Sequence, residues 1–294
     1  IMPSLVGSEM CIRDSLGKVA LSASIPLMAA CCMEQVLLPT CLFSTHTGGG
    51  QTPLKHSTST FLDGFLLAWE QSDLKFDSLF VGYLNQVEDA NKILAFVSRQ
   101  NMPLVLDPIM ADQGRLYSGL SEQHLKAMRS LAQKADLILP NITEACLLTQ
   151  TPYLEEGYRR SDIKELAIKL TNLGPKEAII SGVSFEEGQI GFAYYQADHN
   201  QLTYHFGKQF PEHFYGTGDI ASAIIASGFS YQLPLGDILE LTVSFLEKSL
   251  ETTLDLKRNI AFGIAYEFHL AYLITSFQQL LEENHDISKI SSSH

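Results

Sequence analysis

Short apolar, β-rich runs alternate with helix-like segments as far as residue 183, and this alternation narrows the fold more than any other feature of the chain. The runs are QVLLPTCLFS (35–44), FDSLFVGYL (76–84), MPLVLDPIM (102–110), ADLILP (135–140) and EAIISGV (177–183). Helix-like segments lie between them near 58–72, 86–100, 121–133, 143–150 and 161–173. Strands that alternate with helices in this way predict an α/β fold, a central and mostly parallel sheet flanked by helices on both faces. Near 189–207 two further strand-like runs, QIGFAYYQ and QLTYHFG, are joined by ADHN and read as an antiparallel hairpin. Three helices are expected to finish the chain. No internal repeat or low-complexity linker appears, so residues 16–294 read as one domain.

Residues 1–15 read differently. LVGSEMCIRDS fits no periodic pattern and resembles one reading frame of a transposon adapter used in sequencing-library preparation. The expectation is a non-native segment outside the domain. A signal peptide fits poorly, because Glu9, Arg13 and Asp14 stand where an apolar stretch is needed. The next stretch, LGKVALSASIPLMAACCMEQVLL, is broken by Lys18, Pro26 and Glu34. It is too short for a membrane span and reads as a buried helix followed by a strand.

Charge excludes some functions. The net charge of the 294 residues is −13, which argues against nucleic acid, since phosphate backbones are bound by clustered Lys and Arg. No basic run suits a membrane surface. Five cysteines (Cys11, Cys31, Cys32, Cys41 and Cys146) show no CxxC spacing and suit a reducing, cytoplasmic setting.

In a parallel sheet, ligands collect beyond the carboxyl ends of the strands. The polar residues there are Asp107, Asp112 and Gly114 in LDPIMADQGRLY, Asn141 and Glu144 in LPNITEACLLT, and the run FSTHTGGG. The fourth is YGTGD, residues 215–219, which opens a small, apolar helix. Gly216 and Gly218 allow a tight turn, and N–H groups at a helix start form an anion site from backbone alone. Asp219 then reads either as an ordinary helix-start acid or as a base beside that site, taking a proton from a hydroxyl as its oxygen attacks phosphorus. Plainer readings exist elsewhere. Asn141 with Glu144 matches a capping box. Asp107 before Pro108 ends a strand, Asp112 to Gly114 is a turn, His46 is a loop or core histidine, and Tyr83 is sheet packing. The GxxxxGK[ST] phosphate loop is absent, as are HExxH and GxSxG.

STHTGG, VGYL, DPIMADQGRLY, PNITEACLLT, IISGV and GTGDIASA together, in this order and spacing, resemble the pyridoxal/pyridoxamine kinases of the ribokinase-like superfamily. The resemblance covers roughly residues 16–275. It implies ATP-dependent phosphorylation of the 5′-hydroxyl of pyridoxal, pyridoxine or pyridoxamine by a homodimer. Asp219 would be the base, with Gly216, Thr217 and Gly218 as the anion hole. Asp107, Asp112, Asn141 and Glu144 would surround the ATP phosphates. Asp107, Asp112 and Glu144 would serve Mg²⁺, partly through water, and room is left for a monovalent cation. Ser181 and Gly182 would lie near the nucleotide. His46, Thr47 and Tyr83 would line the acceptor pocket, and Tyr117 would sit on a closing loop. Ala111 departs from the usual glycine, and the family's N-terminal serine is assigned to neither Ser8 nor Ser15. Two alternatives stay open. One is a hydroxymethylpyrimidine kinase, whose relatives usually carry cysteine at the Asp219 position. The other is a non-catalytic or truncated ligand-binding homologue.

Overall fold

The computed structural model describes residues 6–46, 52–72 and 75–291, side chains at 6 and beyond 284 excepted. The elements in chain order begin β1 (Val6–Asp14), α1 (Ala20–Ala30), β2 (Glu34–Phe43), β3 (Lys55–Ser57), α2 (Ser59–Glu70), β4 (Ser78–Val81), α3 (Val87–Gln100) and β5 (Leu104–Leu106). A small hairpin of β6 (Ala111–Asp112) and β7 (Arg115–Leu116) leads to α4 (Glu122–Ala132), β8 (Leu137–Ile138), α5 (Ile142–Thr149) and α6 (Arg160–Thr171). Then come β9 (Glu177–Val183), β10 (Gln189–Gln196), β11 (Gln201–Lys208), α7 (Thr217–Ser230), α8 (Leu235–Asp255) and α9 (Leu270–Ser291).

Nine strands form one sheet in the order β11-β10-β9-β8-β5-β4-β1-β2-β3. The six from β9 to β2 are parallel, and the two β10–β11 strands and β3 add antiparallel edges. This is the expected α/β architecture. Side chains alternate across it with the two-residue period of a strand. Leu79, Val81, Leu104, Leu106, Ile138 and Ile180 face a core closed by α2 to α6. Phe80, Val105, Leu137 and Ile179 face the opposite core, closed by α1, α7, α8 and α9. Full burial of each such side chain contributes about 1.5–3 kcal/mol. Ligand-facing residues therefore emerge only where the strands stop.

Two sequence expectations differ from the structure. Val6–Asp14 is an inner strand, parallel to both β2 and β4, rather than a segment outside the domain. The vacancy between two parallel strands leaves backbone groups unpaired on both sides, and this segment satisfies them. The cost falls on its side chains. Glu9 is buried, accepts from Ser24 Oγ at 2.6 Å, and keeps its Oε2 without a partner. Burial pushes its pKa up to about 8. The second difference is in the closing helices, one of which the helical periodicity of IAFGIAYEFHLAYLI predicts near 260–274. Gly263, at φ +91°, breaks it into two 3-10 turns (Ile260–Phe262 and Tyr266–His269), and α9 begins only at Leu270.

A carboxyl raised in the folded state binds its proton more tightly there than in the unfolded chain. Its stabilisation is complete below pH about 4.5 and is lost as pH rises towards 8. Glu9→Gln keeps the acceptor for Ser24 and removes the ionisation. Its melting temperature is expected to exceed that of the parent by a margin that widens from pH 5 to pH 8 in parallel thermal melts. A margin independent of pH would show that Glu9 ionises normally in the fold.

Candidate active site

The strand ends assemble as the topology requires. Asp107 directly follows β5, and its N–H donates to Val81 O at 2.9 Å. Its Oδ2 accepts from Ser222 Oγ at 2.6 Å, a residue one turn into α7. Burial first, then the neighbouring Glu144 carboxylate, holds Asp107 well above the usual carboxylate range.

Asn141 and Glu144 form the capping box that the sequence suggests. Asn141 Oδ1 accepts from the Glu144 N–H, and Glu144 Oε2 accepts from the Asn141 N–H, both at 2.9 Å. Glu144 does more than cap. Its Oε1 accepts from the N–H groups of Met110 at 2.9 Å and Ala111 at 3.3 Å, and Asn141 Nδ2 donates to Ala111 O at 2.8 Å. The pair staples the loop after β5 to the start of α5. Burial pushes Glu144 up to about 8 despite these three donors. The staple aims the β6–β7 hairpin, whose turn uses Gln113 at φ +49° and Gly114 at φ +76°. It places Asp112 and Tyr117 over the site.

Gly216, at φ +85°, is the N-cap of α7, and Ile220 N–H donates the first helical bond to its carbonyl at 3.0 Å. The N–H groups of Thr217, Gly218 and Asp219 precede that bond, so the helix itself leaves them free to donate. Asp219 is half-buried and receives the N–H of Ala20 at the start of α1. Burial pushes its pKa up to about 6, and the nearby Asp14 carboxylate acts in the same direction.

Two adjoining cavities meet at this helix start. The smaller, about 260 Å³, gathers Asp107, Asp112, Tyr117, Asn141, Glu144 and Ser181 around Gly216, Thr217, Gly218 and Asp219. The larger, about 490 Å³, carries Gly182 and opens between the β10–β11 hairpin and α8, with Phe210, Val243, Leu246 and Leu250 as apolar wall and Lys208 at its rim. Thr217 and Gly218 belong to both.

Two of the other substrate candidates, Tyr83 and His46, are absent from the lining of these two cavities. Tyr83 lines neither cavity; it is buried, with its ring 6.1 Å from that of Phe43 in an edge contact. His46 is also buried, bonded to Ala261 O and with its ring 5.2 Å from that of Tyr215. Thr47 lies outside the described residues. Sequence reasoning missed Ser222 and the wall of the larger cavity. The stripe Val243, Leu246, Glu247 and Leu250, at spacings of three and four on α8, was the available signal.

Among the described residues, no group of three or more His, Cys, Asp or Glu is close enough to hold a metal by itself. The carboxylates of Asp107, Asp112 and Glu144 nonetheless share one cavity without a compensating cation among its lining residues. Such a donor set fits Mg²⁺, which retains waters and takes further oxygens from phosphate.

A protein-family model described as phosphomethylpyrimidine kinase matches residues 28–262. The chain belongs to this family. Pyridoxal kinase from Arabidopsis thaliana is 28% identical over 229 residues, covering 72% of this chain and 71% of that one. The crystal structure of pyridoxal kinase from Lactobacillus plantarum superposes with a TM-score of 0.85 at 30% identity, covering 92% of this chain and 97% of that chain. Pyridoxal kinase from Leishmania donovani in complex with ADP and pyridoxamine shares the fold at 19% identity, TM-score 0.79, over 91% of this chain and 95% of that chain. The match to these structures confirms the fold class expected from the sequence.

Removing the staple orphans buried donors. Glu144→Ala strands three backbone N–H groups, each costing about 1–3 kcal/mol when buried and unmet. Urea denaturation is expected to show a loss of about 2 kcal/mol or more. A loss below about 0.5 kcal/mol would mean that the loop finds other partners.

Proposed function

We propose that the protein transfers the γ-phosphoryl group of ATP to the 5′-hydroxyl of pyridoxal, pyridoxamine or pyridoxine. One observation carries this reading: the N–H groups of Thr217 and Gly218, which precede the first helical bond of α7, belong to the wall shared by the two cavities, with the Asp219 carboxylate beside them. The larger cavity suits the nucleotide, its apolar wall the base. The smaller cavity suits the phosphates and the acceptor hydroxyl. The hydroxyl oxygen attacks the γ-phosphorus, the bond to the β–γ bridging oxygen breaks, ADP leaves, and the hydroxyl proton passes to Asp219. The N–H groups at the start of α7 stabilise charge on the transferring group. Asp107, Asp112 and Glu144 would hold Mg²⁺, partly through water, and the ion would offset phosphate charge. Ser181 and Gly182 flank the nucleotide, and Tyr117 closes over it. The pyridoxal kinases of A. thaliana and L. plantarum support the choice of acceptor.

The family's description as phosphomethylpyrimidine kinase, with a Staphylococcus aureus relative described as hydroxymethylpyrimidine/phosphomethylpyrimidine kinase, keeps a hydroxymethylpyrimidine acceptor as the second reading. A carboxylate base at 219 favours the first. ATP consumption measured in parallel with pyridoxal, pyridoxamine and hydroxymethylpyrimidine separates the two, and silence with all three leaves a non-catalytic homologue. With the preferred acceptor, Asp219→Asn is expected to lower kcat by at least about 100-fold with ATP affinity kept. A base must be ionised to act, so wild-type kcat/KM should fall as pH drops below about 6. Excess chelator should abolish turnover. Wild-type rates from Asp219→Asn would remove Asp219 from the mechanism.

We infer that two copies associate through α2. Leu62 and Leu66 bury one side of this helix, yet Phe61, Phe65 and Leu67 are exposed. Its acids are neutralised by α3, Asp63 by Lys92 at 2.9 Å and Glu70 by Arg99 at 2.6 Å. In a chain of net charge −13, a neutral apolar face is where two copies meet without repulsion. Sedimentation velocity is expected to find a dimer that Phe65→Asp dissociates; a wild-type monomer at micromolar concentration would end this idea. No described helix is long and apolar enough to cross a membrane. The five cysteines are unpaired thiols, which supports a cytoplasmic location.

A further inference from the structure

We propose that Lys18 is a positioning residue that clamps the bent segment 260–267 against the anion-hole loop, an inference that rests on the phosphoryl-transfer reading of residues 216–219. Lys18 sits in the turn between β1 and α1 and works in two directions. Its backbone faces the loop: a Cβ on Gly216 would collide with the Lys18 carbonyl oxygen. That contact, with the φ of +85°, fixes glycine at 216 and sets where the following N–H groups point.

The side chain faces the other way. Nζ donates to Ile264 O at 2.9 Å, pairs with the Glu267 carboxylate and lies 5.1 Å from the centre of the Tyr266 ring. The stem covers Gly263, where an added Cβ would fall 2.7 Å from Lys18 Cβ. Glu267, for which the sequence offers no role, is thus a counter-ion, with Arg258 as its second partner at 3.7 Å.

The clamped segment needs an external hold. Two single-turn 3-10 helices around a left-handed glycine carry few internal hydrogen bonds, and such stretches open readily. His46 holds it a second time through Ala261 O, and its ring packs on Tyr215, the residue before Gly216. Lys18 and His46 therefore tie the same two pieces of chain together. Lys18 adds a direct backbone contact to the loop, which His46 reaches through the Tyr215 ring.

Hydrogen exchange and steady-state kinetics on the full chain test this with Lys18→Met, Lys18→Arg and Glu267→Gln. Lys18→Met is expected to speed exchange by about tenfold over 214–220 and 260–268 while leaving 59–70 and 160–171 unchanged. It should lower kcat about tenfold with the KM for ATP kept. Lys18→Arg, which can still reach Glu267, should restore both readouts, and Glu267→Gln should give a smaller change of the same kind. Unchanged exchange at 214–220 in Lys18→Met overturns the proposal. Faster exchange spread evenly over the chain also overturns it, since that marks general destabilisation. If the wild type transfers no phosphoryl group, the kinase reading fails, while the exchange pattern still decides whether the clamp exists.

Discussion

A single carboxylate organises the ligand side of this molecule. Glu144 accepts from three backbone N–H groups belonging to two segments far apart in sequence, the loop after β5 and the start of α5. Without it, the chain between Asp107 and Tyr117 has no regular structure beyond a four-residue ladder. With it, Asp112 and Tyr117 acquire fixed places relative to α7. Strand ends supply direction, but loops supply reach, and here one side chain converts a loop into a defined edge of the site.

That economy has an electrostatic cost. Asp107, Glu144 and Asp219 all titrate above their ordinary range because burial opposes their ionisation. Asp107 feels Glu144 and Asp219 as like charges. Ser222, Ala20 and the loop amides offset part of this with hydrogen bonds. The remainder is a field that favours cations. Real proteins break the rules of consistent burial chiefly where they bind and react, although β1 also carries two buried acids, Glu9 and Asp14.

The parallel sheet, the hairpin and the order of helices were legible because strands buried on both faces read as short continuous apolar runs, and helices as longer periodic segments between them. The capping box at 141–144 was legible for a similar reason: its partners are three residues apart. Features built from distant partners were not. Lys55–Ser57 became a strand only through pairing with Cys41–Phe43. Val6–Asp14 lacks a strand's apolar pattern and is seated by the pairing demands of β2 and β4. Tyr83 could not be told apart from a ligand contact, since an aromatic residue at a strand end serves packing or binding equally well. Its ring packs edge-on against Phe43, and such packing is compatible with a ligand contact as well. The stretch 260–274 has helical periodicity, but Gly263 takes a conformation that Lys18, some 245 residues earlier, accommodates.

The order of strands carries an evolutionary consequence. The larger cavity is built from β9 to β11 and α8, at one end of the sheet, whereas His46 follows β2, a strand near the other end. The start of α7 is the hinge between these provinces. Substitutions near one end of the sheet reach the walls near α8 chiefly through His46, which ties the end of β2 to Ala261 and Tyr215. Such an arrangement lets one scaffold diversify the partner on one flank while inheriting the other flank with few changes.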